Sequence, residues 1–201
     1  MRLIVSALLL AFSGPVSAQI IDFESNGLRY QALTRQGLTI MIGELPSHIR
    51  DYSVLQVAIS NGSTKTYTLK PEDFIFTRSD GTATPALPAR FVVRSLLQKA
   101  SRNDVIRLVT AYEGGLYGNR HRYQLNGYEE RRQAALAEVG STKIKAAATA
   151  SAVAFVQTKL LPGQSTDGAI FYSNPAKSLG PGVIQITTSG LTFEFPLLSS
   201  N

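Results

Sequence analysis

The chain contains no cysteine among its 201 residues. It therefore forms no disulfides, although an oxidising compartment would permit them, and a hydrophobic core must supply its stability. The same absence excludes a cysteine nucleophile and the lipid-modified cysteine that follows the leader of a lipoprotein.

Histidine is almost as scarce, with His48 and His121 as the only two. The chain has no Gly-x-Ser-x-Gly elbow, no Ser-x-x-Lys pair and no His-Glu-x-x-His helix. Gly114-Gly115 is not followed by the lysine and serine or threonine of a phosphate-binding loop. The sequence therefore predicts no catalytic residues, no cofactor and no enzymatic activity.

Several carboxylates fall on predicted helices, but they lack the Glu-x-x-His spacing of di-metal bundles. These residues are Asp104, Glu113, Glu129, Glu130 and Glu138. Charge at helix N-termini and pairing with bases three or four residues away explain them without a metal. We expect no bound metal ion.

Long apolar runs are absent after the first residues. Residues 1–18 combine a basic start, an apolar run from Leu3 to Phe12 and the small residues Val16-Ser17-Ala18, which is the pattern of a secretory signal. We expect cleavage after Ala18 and a periplasmic or extracellular location. Ala146 to Val156, the most apolar later stretch, is shorter than the about 20 residues of a membrane span.

Two outer stretches, residues 19–88 and 153–201, alternate as strands do. Between Tyr52 and Ser60 the apolar side chains occupy every second position, which predicts one face on a core. Asn61-Gly62 ends this run, and Thr66–Leu69 is expected to pair back onto it. About eight short strands with regular turn signals predict a mainly β fold, an antiparallel β-sandwich.

Residues 89–152 change to a helical period. The first helix is expected to bury Val92, Val93, Leu96 and Leu97, and the second to bury Val105, Ile106, Leu108, Val109 and Tyr112. Ser101 and Asp104 form a capping pattern for the second helix, and Gly114-Gly115 is expected to end it. A third helix is predicted from Asn126 to Val139, and an alanine-rich fourth from Thr142 to about Ala152.

Three segments, Val54–Ser63, Leu69–Phe74 and Asp80-Gly81, resemble secreted bacterial immunoglobulin-like domains of largely unknown function. Leu161–Ser165 with Gly168–Phe171 is similar to the strand pair near the end of those domains. The resemblance implies an immunoglobulin-like β-sandwich that is exported or tethered to the cell surface. The chain departs from that family by lacking the lipidation cysteine and by inserting residues 89–152, where we expect any function peculiar to it.

Basic residues are concentrated in the helical segment. Twelve of the 20 Lys and Arg residues, but only five of the 14 acidic ones, lie between Ala89 and Leu160. Arginines mix with tyrosines around one predicted loop, and the candidate binding residues are Arg120, Arg122, Tyr123, Tyr128, Arg131 and Arg132. Guanidinium groups bind phosphates and carboxylates, and tyrosines provide flat contact area. The alternative is a solvated helical face that keeps the protein soluble.

Three hypotheses follow for function. The preferred one is an exported, non-enzymatic binding module whose basic insertion contacts an anionic envelope polymer, lipid headgroups or an acidic protein partner; nucleic acid is not expected there. The second is a structural subunit of a cell-envelope assembly that uses exposed strand edges. The third, weaker hypothesis is a metal-dependent enzyme using the helical carboxylates.

Overall fold

The computed structural model describes residues 19–25, 28–45, 48–117, 141–174 and 179–197. Within them the strands are β1 (Ile21–Ser25), β2 (Leu28–Arg35), β3 (Leu38–Glu44), β4 (Tyr52–Asn61), β5 (Tyr67–Leu69), β6 (Phe74–Arg78), β7 (Ala83–Pro85), β8 (Thr158–Leu160), β9 (Ser165–Ser173), β10 (Gly182–Thr188) and β11 (Leu191–Leu197). The helices are α1 (Ala89–Lys99), α2 (Arg102–Tyr117) and α3 (Thr142–Val153). The predicted mainly β fold is confirmed.

The strands form three antiparallel sheets. Sheet 1 has the order β1-β2-β3-β4-β9, sheet 2 has the order β11-β10-β6-β7, and sheet 3 pairs β5 with β8. Strands β1 to β7 precede the helices in sequence, and β8 to β11 follow them. Each sheet therefore combines strands from both sides of the helical segment, and β9 pairs with β4 from Tyr52↔Ser173 to Ser60↔Ser165.

The inward faces of sheets 1 and 2 share one hydrophobic core. Alternating residues supply it, as a period of two requires, and they include Leu55, Val57, Ile59, Phe74, Phe76, Ile184, Ile186, Phe193 and Phe195. Burying each such side chain fully contributes about 1.5–3 kcal/mol. A core of this size replaces the disulfides that the sequence lacks.

The helices cover part of the other face of sheet 1, beside β9. Val54, Ala169 and Phe171 from that face share a second cluster with helical residues, among them Val92, Leu96, Leu108, Ala146, Ala150 and Val153. The alanines of α3 are small and buried, and they allow close approach. The molecule consequently has three layers, in the order helices, sheet 1 and sheet 2.

The predicted core-facing side of β4 is confirmed, because Leu55, Val57 and Ile59 lie in the core shared by sheets 1 and 2. Gln56 and Ala58, on the side opposite Leu55 and Val57, are also buried. The alternation in β4 is one of residue type, and it does not separate a buried face from a solvent face. A strand covered on both sides shows that its sheet lies inside the molecule.

Three expectations were wrong. Thr66–Leu69 does not pair back onto β4, because Tyr67–Leu69 pairs with β8 instead. Helix α2 continues through Gly114-Gly115 to Tyr117, since a glycine inside a helix costs only about 1 kcal/mol. Leu97 and Ile106, expected on buried helical faces, are exposed, because the stripe that reaches sheet 1 is narrow.

Candidate anion-binding surface

The six binding residues predicted from sequence lie outside the described residues. They are Arg120, Arg122, Tyr123, Tyr128, Arg131 and Arg132. The predicted third helix, with Glu129, Glu130 and Glu138, lies there too, as do residues 1–18. The candidate surface must therefore be built from the helices that the structure describes.

The helical layer, meaning α1, α2 and α3, carries seven basic residues and two acidic ones. The bases are Arg90, Arg94, Lys99, Arg102, Arg107, Lys143 and Lys145, and all except the half-buried Lys145 are exposed. The buried residues of all three helices belong to one hydrophobic cluster with residues of sheet 1. The exposed bases lie outside that cluster.

One of the two acids, Asp104, is buried and forms hydrogen bonds within the protein. Its Oδ2 accepts hydrogen bonds from the backbone N–H of Ser101 at 2.7 Å and from the Ser101 hydroxyl at 2.8 Å. The predicted reach of this carboxylate back to Ser101 is confirmed, but the serine hydroxyl donates to it and does not cap the helix backbone. Asp104 is only 5% exposed, so it barely offsets the basic surface.

Arg50 connects the helical layer to the turn before β4. Its Nη1 lies 3.6 Å from Oδ2 of Asp104 and donates to the carbonyl of Lys99, at the end of α1. Arg50 has a φ of 53°, in the turn that precedes β4. One guanidinium therefore contacts both the end of α1 and the start of α2, and the sequence suggested neither contact.

Helix α1 shows most clearly what the exposed surface contains. Arg90, Phe91, Arg94, Leu97 and Gln98 are all exposed, and helical spacing places them on one side, opposite the buried Val92 and Leu96. The guanidinium carbon of Arg90 lies 5.1 Å from the centroid of the Phe91 ring. The helix has no acidic residue. Its outer side can bind an anion without opposing charge on the same helix.

A second polar cluster lies where β4, β6 and β9 meet at one end of the two sheets. Nη2 of Arg78 donates to Oδ1 of Asn174 at 3.2 Å, and Nδ2 of Asn174 donates to Oγ of Ser53 at 2.8 Å. The guanidinium of Arg78 also lies 5.9 Å from the ring centroid of Phe76. No spacing in the sequence points to this cluster, because its members are far apart along the chain. Its contacts are internal, and they join the sheets.

Acidic residues in the described part of the chain do not gather into a metal site. No group of three or more His, Asp or Glu side chains there could hold an ion. Glu44, half-buried at the end of β3, has a raised pKa because burial disfavours its charge, and a hydrogen bond from the backbone N–H of Leu179 partly opposes that rise.

None of the helices in the described ranges combines the length and apolar character that crossing a bilayer requires. No protein-family model matches the chain, and the curated proteins yield no significant match. Among solved structures, the chain is similar to the yjhA protein from Bacillus subtilis. The alignment covers 88% of this chain and 96% of that one, at 9% sequence identity and a TM-score of 0.36. A likeness at this level carries no argument for fold or function.

Proposed function

We propose that the protein is an exported, non-enzymatic binding module. In this proposal an immunoglobulin-like β-sandwich presents the basic helical insertion, residues 89–152, to an anionic component of the cell envelope or to an acidic protein partner. Export rests on the leader-like pattern of residues 1–18, and the immunoglobulin-like assignment on the resemblance of Val54–Ser63 and the segments after it. Two antiparallel sheets around a shared core support the sandwich.

The observation that carries the proposal is the charge asymmetry of the helical layer. Six of its seven bases are exposed, and one of its two acids, Asp104, is buried against Arg50. An excess of exposed bases creates a local positive potential that attracts anionic partners. Arg120, Arg122, Arg131 and Arg132 belong to the same insertion and would add to that potential.

Retention on a heparin column tests this proposal. Arg90, Arg94 and Arg107 are each replaced by Glu in one variant, and Arg35, Lys65 and Lys159, which are exposed on the sheets and loops, are each replaced by Glu in the control. Both variants change the net charge equally. We expect the helical variant to elute at much lower salt than the control, and equal elution would show that the helical layer has no special role.

The predicted loop residues have their own test. Replacing Arg120 and Arg122 by Glu should weaken retention on anionic envelope material, and the effect should be largest at low ionic strength, where screening is weakest. Unchanged retention at low salt would remove these two residues from the binding surface.

A structural subunit of an envelope assembly is the second candidate, and the sheet edges favour it. In the described ranges β1 pairs only with β2, and β11 only with β10. Such edges can add a strand from another chain, although the acids Asp22 and Glu24 in β1 and Pro196 in β11 are residues that discourage it. This candidate predicts an oligomer that forms with rising concentration and resists salt, which sedimentation at low and high salt would detect.

The metal-dependent enzyme remains the weakest alternative. Of its proposed ligands, Asp104 already accepts two hydrogen bonds from Ser101 and lies beside Arg50. A stoichiometric metal in the purified protein would support this alternative against the binding module.

A further inference from the structure

Each helix of the helical layer exposes a large apolar side chain directly beside a base. The pairs are Arg90–Phe91 in α1, Ile106–Arg107 in α2 and Lys143–Ile144 in α3. The three apolar residues are 49%, 52% and 47% exposed, and Leu97 in α1 adds a fourth at 44%. Half of the eight large apolar residues exposed in the described part of the chain therefore lie in these three helices.

Solubility does not explain this composition. Lysine and arginine alone would keep a helical face solvated, and they alone would attract a soluble polyanion. Half-exposed Phe, Leu and Ile side chains add nothing to either property, because their contact with water is unfavourable. Contact with an apolar partner would be more favourable for these side chains than contact with water.

A soluble polyanion and an anionic bilayer differ in whether they offer an apolar region to these side chains. Both offer negative charge, but only the bilayer has an apolar region within about 5–10 Å of its charged surface. A helix that exposes bases together with Phe, Leu and Ile suits the boundary between the headgroups and the acyl chains. There the bases contact lipid phosphates, and the apolar side chains enter between the headgroups. All three helices expose both kinds of side chain.

We infer that the helical layer binds the surface of an anionic lipid bilayer, with Phe91, Ile106 and Ile144 entering the headgroup region. This inference rests on the proposed function, because it names the bilayer as the anionic partner. The bases supply attraction, about fivefold in affinity for each one near the surface. The apolar residues distinguish the bilayer from other polyanions.

Cosedimentation with vesicles tests the inference. The purified protein is mixed with phosphatidylcholine vesicles that contain or lack phosphatidylglycerol. The helical variant combines Phe91→Ser, Ile106→Ser and Ile144→Ser. The control combines Ile21→Ser, Val156→Ser and Leu161→Ser, which are also exposed but lie outside the helices.

The unmodified protein should bind the vesicles that contain phosphatidylglycerol and not the neutral ones. The helical variant should lose at least tenfold in affinity for the anionic vesicles, because burial of three apolar side chains is lost. The control should change by less than twofold. Both variants should keep the elution salt of the unmodified protein on heparin, since no charge is altered.

Vesicle binding by the helical variant that equals that of the unmodified protein would overturn the inference. The inference would also be overturned if the unmodified protein bound heparin but did not bind anionic vesicles. That outcome would be consistent with the proposed function, with a soluble polyanion or an acidic protein as the partner. Failure of the unmodified protein to bind either probe would instead count against the proposed function itself. The single variants Phe91→Ser and Leu97→Ser, checked by circular dichroism, provide the same comparison if the triple variant does not fold.

Discussion

The side-chain amide of Asn61, at the end of β4, donates a hydrogen bond of 3.1 Å to the backbone carbonyl of Leu160 in β8, 99 residues along the chain. It also donates to the carbonyl of Lys65, and its Oδ1 accepts from the backbone N–H and the hydroxyl of Ser63. Asn61 is fully buried. Its amide nitrogen is thus occupied, so the sequon Asn61-Gly62-Ser63 is a structural turn, as its turn residues indicated.

Replacing Asn61 by Asp should destabilise the protein by about 3 kcal/mol, because the carbonyls of Lys65 and Leu160 lose their donor and a charge is buried. Urea unfolding measures this loss. Thr64→Ala, an exposed change in the same turn, is the control and should stay within about 0.5 kcal/mol. An Asn61→Asp variant as stable as the control would show that this hydrogen bond does not hold β4 to β8.

Gly168 in β9 leaves no room for a side chain. A Cβ there would lie 2.8 Å from both the Cα and the N of Phe155, which are backbone atoms that cannot move independently. Gly168→Ala should therefore cost about 2 kcal/mol by overpacking. Gly62→Ala, whose Cβ would approach the carbonyl of Gly37 at 3.3 Å, should cost less than half as much. Equal unfolding midpoints for these two variants would contradict the packing of Phe155 against β9.

The buried phenol of Tyr30 makes the stability of the folded protein depend on pH in the alkaline range. Its hydroxyl donates to Oε1 of Gln56 at 3.1 Å, Phe23 stacks on its ring at 5.4 Å between centroids, and burial raises its pKa to about 12. The raised pKa means that the folded state favours the neutral phenol. The stabilisation is therefore complete below pH 10, the ordinary tyrosine value, and disappears as the pH rises through about 12.

Tyr30→Phe should be about 1 kcal/mol less stable than the unmodified protein at neutral pH, because the hydrogen bond to Gln56 is lost. Above pH 10 the difference should shrink, since only the unmodified protein must ionise a buried phenol at this position. Denaturant unfolding between pH 7 and pH 12 measures both curves. Parallel curves would show that this phenol does not determine the alkaline loss of stability.

The half-buried carboxyl of Glu44 makes the stability of the folded protein depend on pH in the acidic range. Because burial raises its pKa, its contribution to stability is complete below the ordinary value of 4.5 and is lost as the pH rises through the folded value. Glu44→Gln keeps an acceptor for the backbone N–H of Leu179 and removes the charge. The variant should melt at a higher temperature than the unmodified protein at pH 7 and at a similar temperature at pH 4. A Tm difference independent of pH would exclude this explanation.

Local pattern predicted the elements well, because alternation and helical period are properties of neighbouring residues. It predicted β4 and the limits of α3 to within one or two residues. Pairing is a property of distant residues, and here the sequence misled, because β5 pairs with β8 and not with β4. The short strand β1 was not predicted.

The sequence predicted the basic charge of the candidate site better than it predicted which residues form the site. Charge counts indicated a basic helical segment, and the described helices carry six exposed bases. Apolar periodicity alone could not show that Leu97 and Ile106 are exposed, because it does not reveal how wide a stripe the neighbouring sheet covers. The role of Arg50 was also hidden, since it lies far in sequence from Lys99 and Asp104.

Because the chain has no native cysteine, a single engineered thiol reports on one position. Gln98→Cys places a polarity-sensitive fluorophore on the outer side of α1, and Thr187→Cys places it on the outer face of sheet 2. With vesicles that contain phosphatidylglycerol, the label at position 98 should shift to shorter wavelength while the label at 187 stays unchanged. A shift at 187 that equals or exceeds the shift at 98 would contradict a membrane-facing helical layer.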